Sequence, residues 1–511
     1  MFKFKPSCSF IKDLYVSAKA DLESVIDKEY ELWGNVKNVR EQASLMFITM
    51  YDGTHITPFQ LILDLEKVKE LSQFKGKVHA GAYIKVKGTV VKSPAKGQLI
   101  EMQVKELKLE GPVRDAMTYL PLVKGVNLDT LRGKNAYLRP KFQTYQAVYT
   151  IVDKVDQFIN NFMRMLEFKK IDPNVITNSD CEGAGEVFVV TTMLSDEIAD
   201  IPYIEKPVDI NNPAELKKYG LNQKKKVIDF SKDFFGKKAG LTVSSQLQLE
   251  ALCPMGKGVY TLNPSFRAEK STTRRHMGVF THFELESKLI TTIDELMNLE
   301  EDLVKYIINQ TLKECREELE SLNSFVSKGI INRLESLVKD DFGRLSYTEA
   351  IELAKKHKEE IKKLYGLDEE IEWGMDLGNS IERYISEQIY KRPVFIHSYP
   401  KTLKSFYMKQ NENEEKGRET VQAVDLICNG VGEIIGSSIR EENYEKLLSA
   451  MTERKMNPEP LQWYLDLRKN GGMRTGGLGL GLQRVIQILC YMDSNIRDVT
   501  PFPTCYRELD F

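Results

Sequence analysis

The stretch PSFRAEKSTTRRHMGVFTHFELE, residues 264–286, carries the strongest structural signal in the chain. Ser265, Arg267 and Glu269 alternate before a polar, basic crossing, and Phe280 begins a second alternating run. This period predicts a hairpin whose alternate side chains share one face of a sheet. A cation, several carboxylates and an aromatic ring are costly to bury together without a ligand. They suit a nucleotide, because arginine binds phosphate, a carboxylate accepts from an exocyclic amine, and the ring covers a base.

Composition limits the broad class of the protein. At 511 residues the chain is too long for one core, so two or more domains are expected. A net charge of -2 argues against a protein coated with nucleic acid, and basic runs such as Lys224–Lys226 are interpreted as solvated faces. The seven cysteines and six histidines form no CxxC or HExxH motif, so neither a disulfide framework nor a zinc site is indicated. Without a long apolar run or a leader-like amino terminus, we expect a cytoplasmic protein with no membrane partner.

Four regions follow from the pattern of elements. Residues 1–29 form an amino-terminal extension, and residues 30–110 contain five short runs rich in β-formers, separated by turns such as Asp52-Gly53. Five strands predict an OB-type barrel, which often binds single-stranded nucleic acid, although a purely structural barrel is the alternative. Residues 111–140 are interpreted as a hinge or linker, and residues 141–511 as the larger, α+β domain.

Within the larger domain, a long amphipathic helix starts near Lys141, and its apolar stripe indicates core or a subunit interface. A helical insertion is predicted at about 293–370. A second informative segment, GGLGLGLQRVIQIL at 476–489, combines glycines that allow close backbone approach with Arg484 at the start of an apolar helix. Its spacing is neither a P-loop nor GxGxxG, so its meaning depends on the hairpin.

Together these motifs resemble those of a known family. FRAE with RRH and a following Phe resembles motif 2 of the class II aminoacyl-tRNA synthetases, GLGLGLQR is similar to motif 3, and the long helix followed by Pro173 resembles motif 1. The OB-like module narrows the resemblance to the aspartyl, asparaginyl and lysyl subgroup. Further stretches look asparaginyl, over essentially everything after about residue 30: SDCEGAGEVF (179–188), SSQLQLEA (244–251), WGMDL (373–377), SYPKTLKSFYM (398–408), GEIIGSSIREE (432–442), WYLDLR (463–468) and IRDVTPFP (496–503).

The resemblance implies an OB-fold anticodon-binding domain followed by a class II catalytic domain, an antiparallel sheet flanked by helices. It implies the activity of an asparagine–tRNA ligase that uses ATP and Mg²⁺, with L-asparagine and tRNA(Asn) as partners. A homodimer is implied through the long helix and the strand carrying Pro173. The alternatives are an aspartyl enzyme, including one that charges both tRNAs, an asparagine synthetase on the same catalytic fold, and a non-catalytic RNA-binding paralogue.

For ATP, the resemblance implies that Arg267 holds the α-phosphate, Glu269 the adenine amine, and that Phe280 stacks on the base. Arg484 is implied at the γ-phosphate or the opposite face of the base, so Arg267 and Arg484 are the catalytic candidates. The same resemblance adds three ATP-binding residues: Arg275, His276 and Glu433.

Two carboxylates are implied as Mg²⁺ ligands, Asp425 and Glu433. Hard carboxylate oxygens beside a triphosphate suit that ion. Ordinary sheet-edge acids are the alternative for both residues.

For the amino acid, Leu249 stands where the aspartyl enzymes carry a lysine that pairs with the substrate carboxylate. A pocket without that cation favours a neutral carboxamide, because desolvating a carboxylate without its counter-charge is costly. Arg440 resembles the arginine that holds the side-chain oxygen, and Glu182 and Gln246 the residues that bind the α-ammonium. Glu284 is left open between the α-amino group and the carboxamide. Outside the resemblance, Leu249 is an ordinary core leucine.

In the barrel, Phe47 and Gln60 match the residues that bind the central anticodon uridine, as stacking platform and base-edge partner. Arg40 is a candidate for a backbone phosphate. A core phenylalanine on a strand is the alternative for Phe47.

The chain departs from the family pattern at several positions, which puts metal occupancy and ATP geometry in question. The departures are Val279 before the stacking phenylalanine, Gln483 before the motif 3 arginine, Ser437 and Ile439 in the GGSQR segment, Ser380-Ile381 before Glu382, and Thr504 after PFP.

Overall fold

The computed structural model describes residues 5–95, 97–115, 119, 128–178, 187–194, 201–209, 224–412, 415–490 and 495–511. The chain divides into two compact units. The first comprises Met1–Lys154, Lys313–Ile331 and Asp510–Phe511, and the second Val155–Leu312 and Asn332–Leu509.

The first unit contains a closed five-stranded barrel. Its strands are β1 Glu29–Glu41, β2 Leu45–Tyr51, β3 Phe59–Asp64, β4 Tyr83–Lys92 and β5 Ile100–Gly111, in the order β1-β2-β3-β5-β4. Met46, Ile48 and Met50 of β2 are fully buried, because alternate residues of a strand point into the barrel. The predicted barrel is confirmed.

The amino-terminal extension, for which the sequence predicts no role, includes helix α1, Ile11–Ala20. Ile11, Leu14 and Tyr15 are buried in the same apolar cluster as the barrel interior. The backbone N–H of Ile11 donates to Asp52 Oδ2 at 2.8 Å, next to the turn between β2 and β3. The helix is therefore part of the barrel's core.

The described part of the predicted linker is packed. Two 3₁₀ turns, Leu128–Leu131 and Gly133–Lys141, precede the long helix α2, Gln143–Met165. Arg139 is fully buried, and its Nε donates to the Leu131 carbonyl at 2.7 Å. This segment is therefore a structural part of the first unit.

The apolar stripe of α2 lies in the core. Its buried members are Tyr145, Val148, Ile151, Val155, Phe158, Ile159 and Met163. Of the two interpretations of the stripe, core and subunit interface, the structure shows core.

The strands of the second unit are β6 Lys169–Lys170, β7 Ile176–Thr177, β8 Val189–Val190, β9 Tyr203–Pro207, β10 Lys224–Ile228, β11 Ala239–Leu241, β12 Gly258–Phe266, β13 Val279–Ser287, β14 Gly343–Ser346, β15 Val394–Pro400, β16 Thr420–Cys428, β17 Gly432–Ile439 and β18 Gly476–Gly481. Its main sheet has eight strands in the order β14-β15-β16-β17-β18-β13-β12-β6. Pairing from β15 to β12 is antiparallel, and both edge strands pair in parallel. Smaller sheets join β7-β11-β8 and β10-β9.

The remaining helices are α3 Gln246–Leu252, α4 Ile293–Glu314, α5 Arg316–Phe325, α6 Ile330–Leu337, α7 Tyr347–Lys356, α8 Lys358–Tyr365, α9 Gly378–Arg383, α10 Tyr444–Glu453, α11 Gln462–Lys469 and α12 Leu482–Cys490. The region predicted as a helical insertion is interrupted by β14, which pairs with β15 at the edge of the main sheet. Across the described ranges, no helix has the length and apolar character needed to cross a membrane.

The motif 2 hairpin is present, with Ser265 opposite Phe280. It is shorter than predicted, since β12 ends at Phe266, and Arg267 and Glu269 lie in the connection. The last backbone bond before the crossing is from Arg267 N to Gly278 O, at 3.0 Å. The predicted strand–turn–strand arrangement is otherwise confirmed.

Candidate active site

Two cavities adjoin on the part of the sheet formed by β12, β13, β18 and β17. The first has a volume of about 140 Å³ and the second of about 600 Å³. Four residues line both: Arg267, His282, Glu433 and Gly479. Ligands in the two cavities would therefore meet at these residues.

All seven residues that the resemblance assigns to ATP line the first cavity. They are Arg267, Glu269, Arg275, His276, Phe280, Glu433 and Arg484. The Arg267 guanidinium lies 5.4 Å from the centroid of the Phe280 ring, so cation and aromatic face are held together. A planar base and an anionic group can thus be bound side by side.

Charge in the first cavity is dominated by arginine. Burial, and then the neighbouring charges of Arg484 and Arg383, lower the pKa of Arg275. Burial also lowers the pKa of His276, although Glu269, with an oxygen 3.7 Å from His276 Nε2, opposes this. Three arginines around a small cavity repel one another until an anion binds, and this arrangement fits a polyphosphate.

Two of the departures, Gln483 and Thr504, contact the motif 2 hairpin. Gln483 Oε1 accepts from the backbone N–H of Thr281 at 3.1 Å, and Gln483 Nε2 lies 3.3 Å from Thr281 Oγ1. Gln483 therefore provides an acceptor for a backbone N–H of β13. The Thr504 carbonyl accepts from Gly278 N at 2.8 Å, a backbone contact that does not depend on the side chain at position 504.

The second cavity contains a lysine that the sequence argument did not assign. Lys404 Nζ lies 2.6 Å and 2.5 Å from the two carboxylate oxygens of Asp425, which is buried. Burial opposes the charge of Lys404, but Asp425 and then Glu433 outweigh it and raise the pKa of the lysine. Lys404 lies within the SYPKTLKSFYM segment, and only the packing of that segment against β16 identifies its partner.

Asp425 and Glu433 flank Gly436. A Cβ on this glycine would lie 3.0 Å from Glu433 Oε1 and 3.8 Å from Asp425 Oδ1, so only glycine leaves the space between the carboxylates open. Within the described ranges, no cluster of three or more His, Cys, Asp or Glu side chains could hold a metal. Mg²⁺ is usually bound by one or two carboxylates together with substrate phosphates, which fits Glu433, whereas both oxygens of Asp425 are bonded to Lys404 Nζ, so Asp425 as a Mg²⁺ ligand stays a prediction.

A buried ion pair lies behind the wall of the second cavity. Arg440 Nε donates to Glu286 Oε1 at 2.9 Å, and both side chains are at most 1% exposed. Gln246, which lines the cavity, donates to the same oxygen at 2.8 Å. The Arg440 guanidinium also lies 5.1 Å from the Tyr407 ring centroid. Burial raises the pKa of Glu286, although the charge of Arg440 opposes this.

Leu249 is fully buried on α3, one turn from Gln246. It belongs to an apolar cluster with Cys253 and Val259, and it is not among the residues that line the second cavity. This is the position of an ordinary core leucine, so its part in substrate selection stays a prediction.

Glu284 is fully buried and holds the start of α3. Its two oxygens lie 3.0 Å and 2.9 Å from the backbone nitrogen of Ser245, and Oε1 also accepts from Ser244 Oγ. Its proposed contact with the substrate stays a prediction. Glu182 lies outside the described residues.

The three anticodon candidates share the outer face of the barrel. Arg40 is directly opposite Phe47 in the β1–β2 pair, with its guanidinium 5.0 Å from the ring centroid. Gln60 is opposite Thr49, two residues along β2. Phe47 is half-buried while its neighbours Met46 and Ile48 point inward, so it is not the core residue of the alternative interpretation.

Two family models match this chain, one over the barrel and one over the larger domain. Residues 31–110 match the OB-fold nucleic acid binding domain, and residues 129–505 match the tRNA synthetases class II (D, K and N). The chain belongs to the class II tRNA synthetases. The asparagine–tRNA ligase of Clostridium kluyveri is 37% identical over 98% of this chain and 100% of the relative. That of Desulfitobacterium hafniense is 38% identical over 98% and 99%.

A solved structure also matches this class II synthetase along its whole length. It is the asparaginyl-tRNA synthetase from Pyrococcus horikoshii complexed with asparaginyl-adenylate, with a TM-score of 0.80, 26% identity, and coverage of 99% of this chain and 100% of that one. The family and fold expected from the motifs are confirmed.

Proposed function

We propose that the protein is an asparagine–tRNA ligase. It activates L-asparagine with ATP to asparaginyl-adenylate and transfers the asparaginyl group to the 3′ end of tRNA(Asn). The observation that carries this proposal is the pair of cavities that meet at Arg267, His282, Glu433 and Gly479. A nucleotide on Phe280 and an amino acid beside Gln246 would bring phosphate and carboxylate together there.

No general base is needed in the activation step. The carboxylate of asparagine attacks the α-phosphorus and pyrophosphate leaves, so catalysis comes from positioning and charge neutralisation. Arg267 binds the α-phosphate, Phe280 covers adenine, and Arg275 and Arg484 neutralise the leaving phosphates. Asp425 and Glu433 would hold Mg²⁺, which would supply further neutralisation of the charge on the triphosphate.

Selectivity for asparagine is supported by the charge of Arg440. Its guanidinium is already paired with Glu286, so the buried pair is neutral overall. A substrate carboxylate beside this pair would be a second, uncompensated negative charge, whereas a carboxamide adds none. Gln246 and Tyr407 line the cavity in front of this pair, and from behind them Arg440 would attract the side-chain oxygen while Glu286 would disfavour aspartate.

The barrel would bind the anticodon of tRNA(Asn) through Phe47, Gln60 and Arg40. For the homodimer, the open edge at β6 supports pairing near Pro173. The apolar stripe of α2 is buried in the core, so this helix would contribute its polar face to the dimer interface. We place the enzyme in the cytoplasm.

The test is amino-acid-dependent ATP–pyrophosphate exchange with asparagine and with aspartate, followed by charging of tRNA(Asn). Exchange and charging with asparagine are expected. Exchange with aspartate alone would identify an aspartyl enzyme. Folded protein that binds tRNA but supports no exchange would identify a non-catalytic RNA-binding protein.

A further inference from the structure

His282 lies where the two cavities meet. It is on β13 between Phe280 and Glu284, and its side chain is 11% exposed. The ring centroid is 5.3 Å from that of Phe280. A group in this position faces the nucleotide on one side and the amino acid on the other.

One ring nitrogen of His282 is engaged by the protein. Nδ1 lies 3.1 Å from Ser265 Oγ and 3.5 Å from Glu284 Oε1. The second distance exceeds that of an ordinary N–H···O hydrogen bond. Glu284 Oε1 also accepts already from Ser244 Oγ and from the backbone of Ser245. The fully buried Ser265 hydroxyl is therefore the partner of Nδ1.

The other nitrogen faces the junction. A Cβ on Gly479 would lie 2.6 Å from His282 Nε2, so the glycine makes room for the ring. Among the residues that the structure describes, Nε2 has no hydrogen-bond partner. Burial lowers the pKa of His282, although Glu284 opposes this, so the ring is neutral and carries one N–H. We assign the tautomer in which the Ser265 hydroxyl donates to Nδ1 and the N–H is on Nε2.

We propose that His282 is a further catalytic residue of the activation step, resting on the function proposed above: its Nε2–H donates to an oxygen of the α-phosphate while asparagine attacks. In that step the bond from the asparagine carboxylate oxygen to the α-phosphorus forms. The bond from the α-phosphorus to the β-bridging oxygen breaks, and pyrophosphate leaves with the electron pair. His282 transfers no proton. Its fixed donor stabilises charge on the phosphorus oxygens.

Two variants separate this role from a structural one. His282→Asn keeps a polar atom near the position of Nδ1 for Ser265 but has none near Nε2. His282→Gln reaches the position of Nε2 with its amide. We expect His282→Asn to melt as the parent does, yet to lose about 10- to 100-fold in kcat of asparagine-dependent exchange, with a much smaller change in the KM for asparagine. His282→Gln should recover most of the lost rate.

Other outcomes would overturn the inference. Parental kcat in folded His282→Asn would show that Nε2 contacts nothing in the reaction. Equal loss of rate and of melting temperature in both variants would assign His282 to packing. A parent protein without asparagine-dependent exchange overturns the proposed function and this inference with it, whereas an active parent with an equally active His282→Asn overturns this inference alone.

Discussion

Replacing Glu286 with glutamine should weaken the discrimination between asparagine and aspartate. The change keeps an oxygen that accepts from Arg440 Nε, now 2.9 Å from Glu286, but removes the negative charge. In the parent, the side chain of a bound aspartate beside Arg440 would lie about 5 Å from Glu286, because the two carboxylates would share one guanidinium. At this distance, an effective dielectric constant of about 20 gives a repulsion of about 3 kcal/mol between the two carboxylates. Glu286→Gln should therefore lower the asparagine-to-aspartate ratio of kcat/KM by roughly 150-fold.

The assay is ATP–pyrophosphate exchange with each amino acid, on protein whose folding is checked by its melting temperature. Glu250→Gln is a matched control, because Glu250 is equally buried but bonds Arg468 and Tyr464. Its ratio should change far less. A folded Glu286→Gln variant with the parental ratio would refute the idea that a pre-neutralised Arg440 selects the carboxamide.

Three further predictions concern a buried carboxyl, the barrel and motif 3. Burial, and to a lesser extent the charge of Asp425, raise the pKa of the fully buried Glu300 to about 8. The native state then holds a proton that the unfolded state releases, so the stabilisation from this group is lost as pH rises towards 8. The free energy of unfolding of Glu300→Gln, relative to that of the parent, should therefore increase by about 3 kcal/mol between about pH 5.5 and 8.5. A difference in melting temperature that stays constant over this range would contradict the prediction. Phe47→Ala should raise the KM for tRNA about 10- to 100-fold in charging and leave exchange unchanged, unlike the exposed-aromatic control Tyr83→Ala. Gln483→Leu leaves the backbone N–H of Thr281 without its acceptor and should lower kcat/KM for ATP about 10-fold. Gln483→Glu keeps an acceptor oxygen, so its kcat/KM for ATP should stay within about 3-fold of the parent value.

The nucleotide side of the site could be predicted from sequence because its parts are local. Arg267, Glu269 and Phe280 come from one hairpin, whose connection and second strand line the same cavity. Only Arg484 and Glu433 had to come from elsewhere. Glycine-rich motif 3 supplied the arginine, and its glycines leave room for side chains of β13, since a Cβ on Gly477 would meet Glu286 and a Cβ on Gly479 would meet His282.

The amino-acid side could not be predicted in the same way. Leu249 was assigned to substrate selection by its place in a motif; the structure places its side chain in an apolar cluster with Cys253 and Val259, and the assignment stays a prediction. Lys404 and Glu286 were visible as residue types, but pairing with Asp425 and Arg440 depends on strand order in the sheet.

The nucleotide side of the site was predictable from sequence and the amino-acid side was not, and this difference has a physical cause. The residues proposed to bind phosphate and adenine line an open cavity, and such residues are recognisable by type. Asparagine is distinguished from aspartate by one charge, and a charge can be sensed only where the protein has fixed its own balance beforehand. Arg440 and Glu286 achieve this by being buried together 154 positions apart in sequence, so that each is tolerable only because of the other. We therefore expect selectivity to reside in this pair, whose two members are brought together only by the fold, and we expect substitution of either member to change substrate choice.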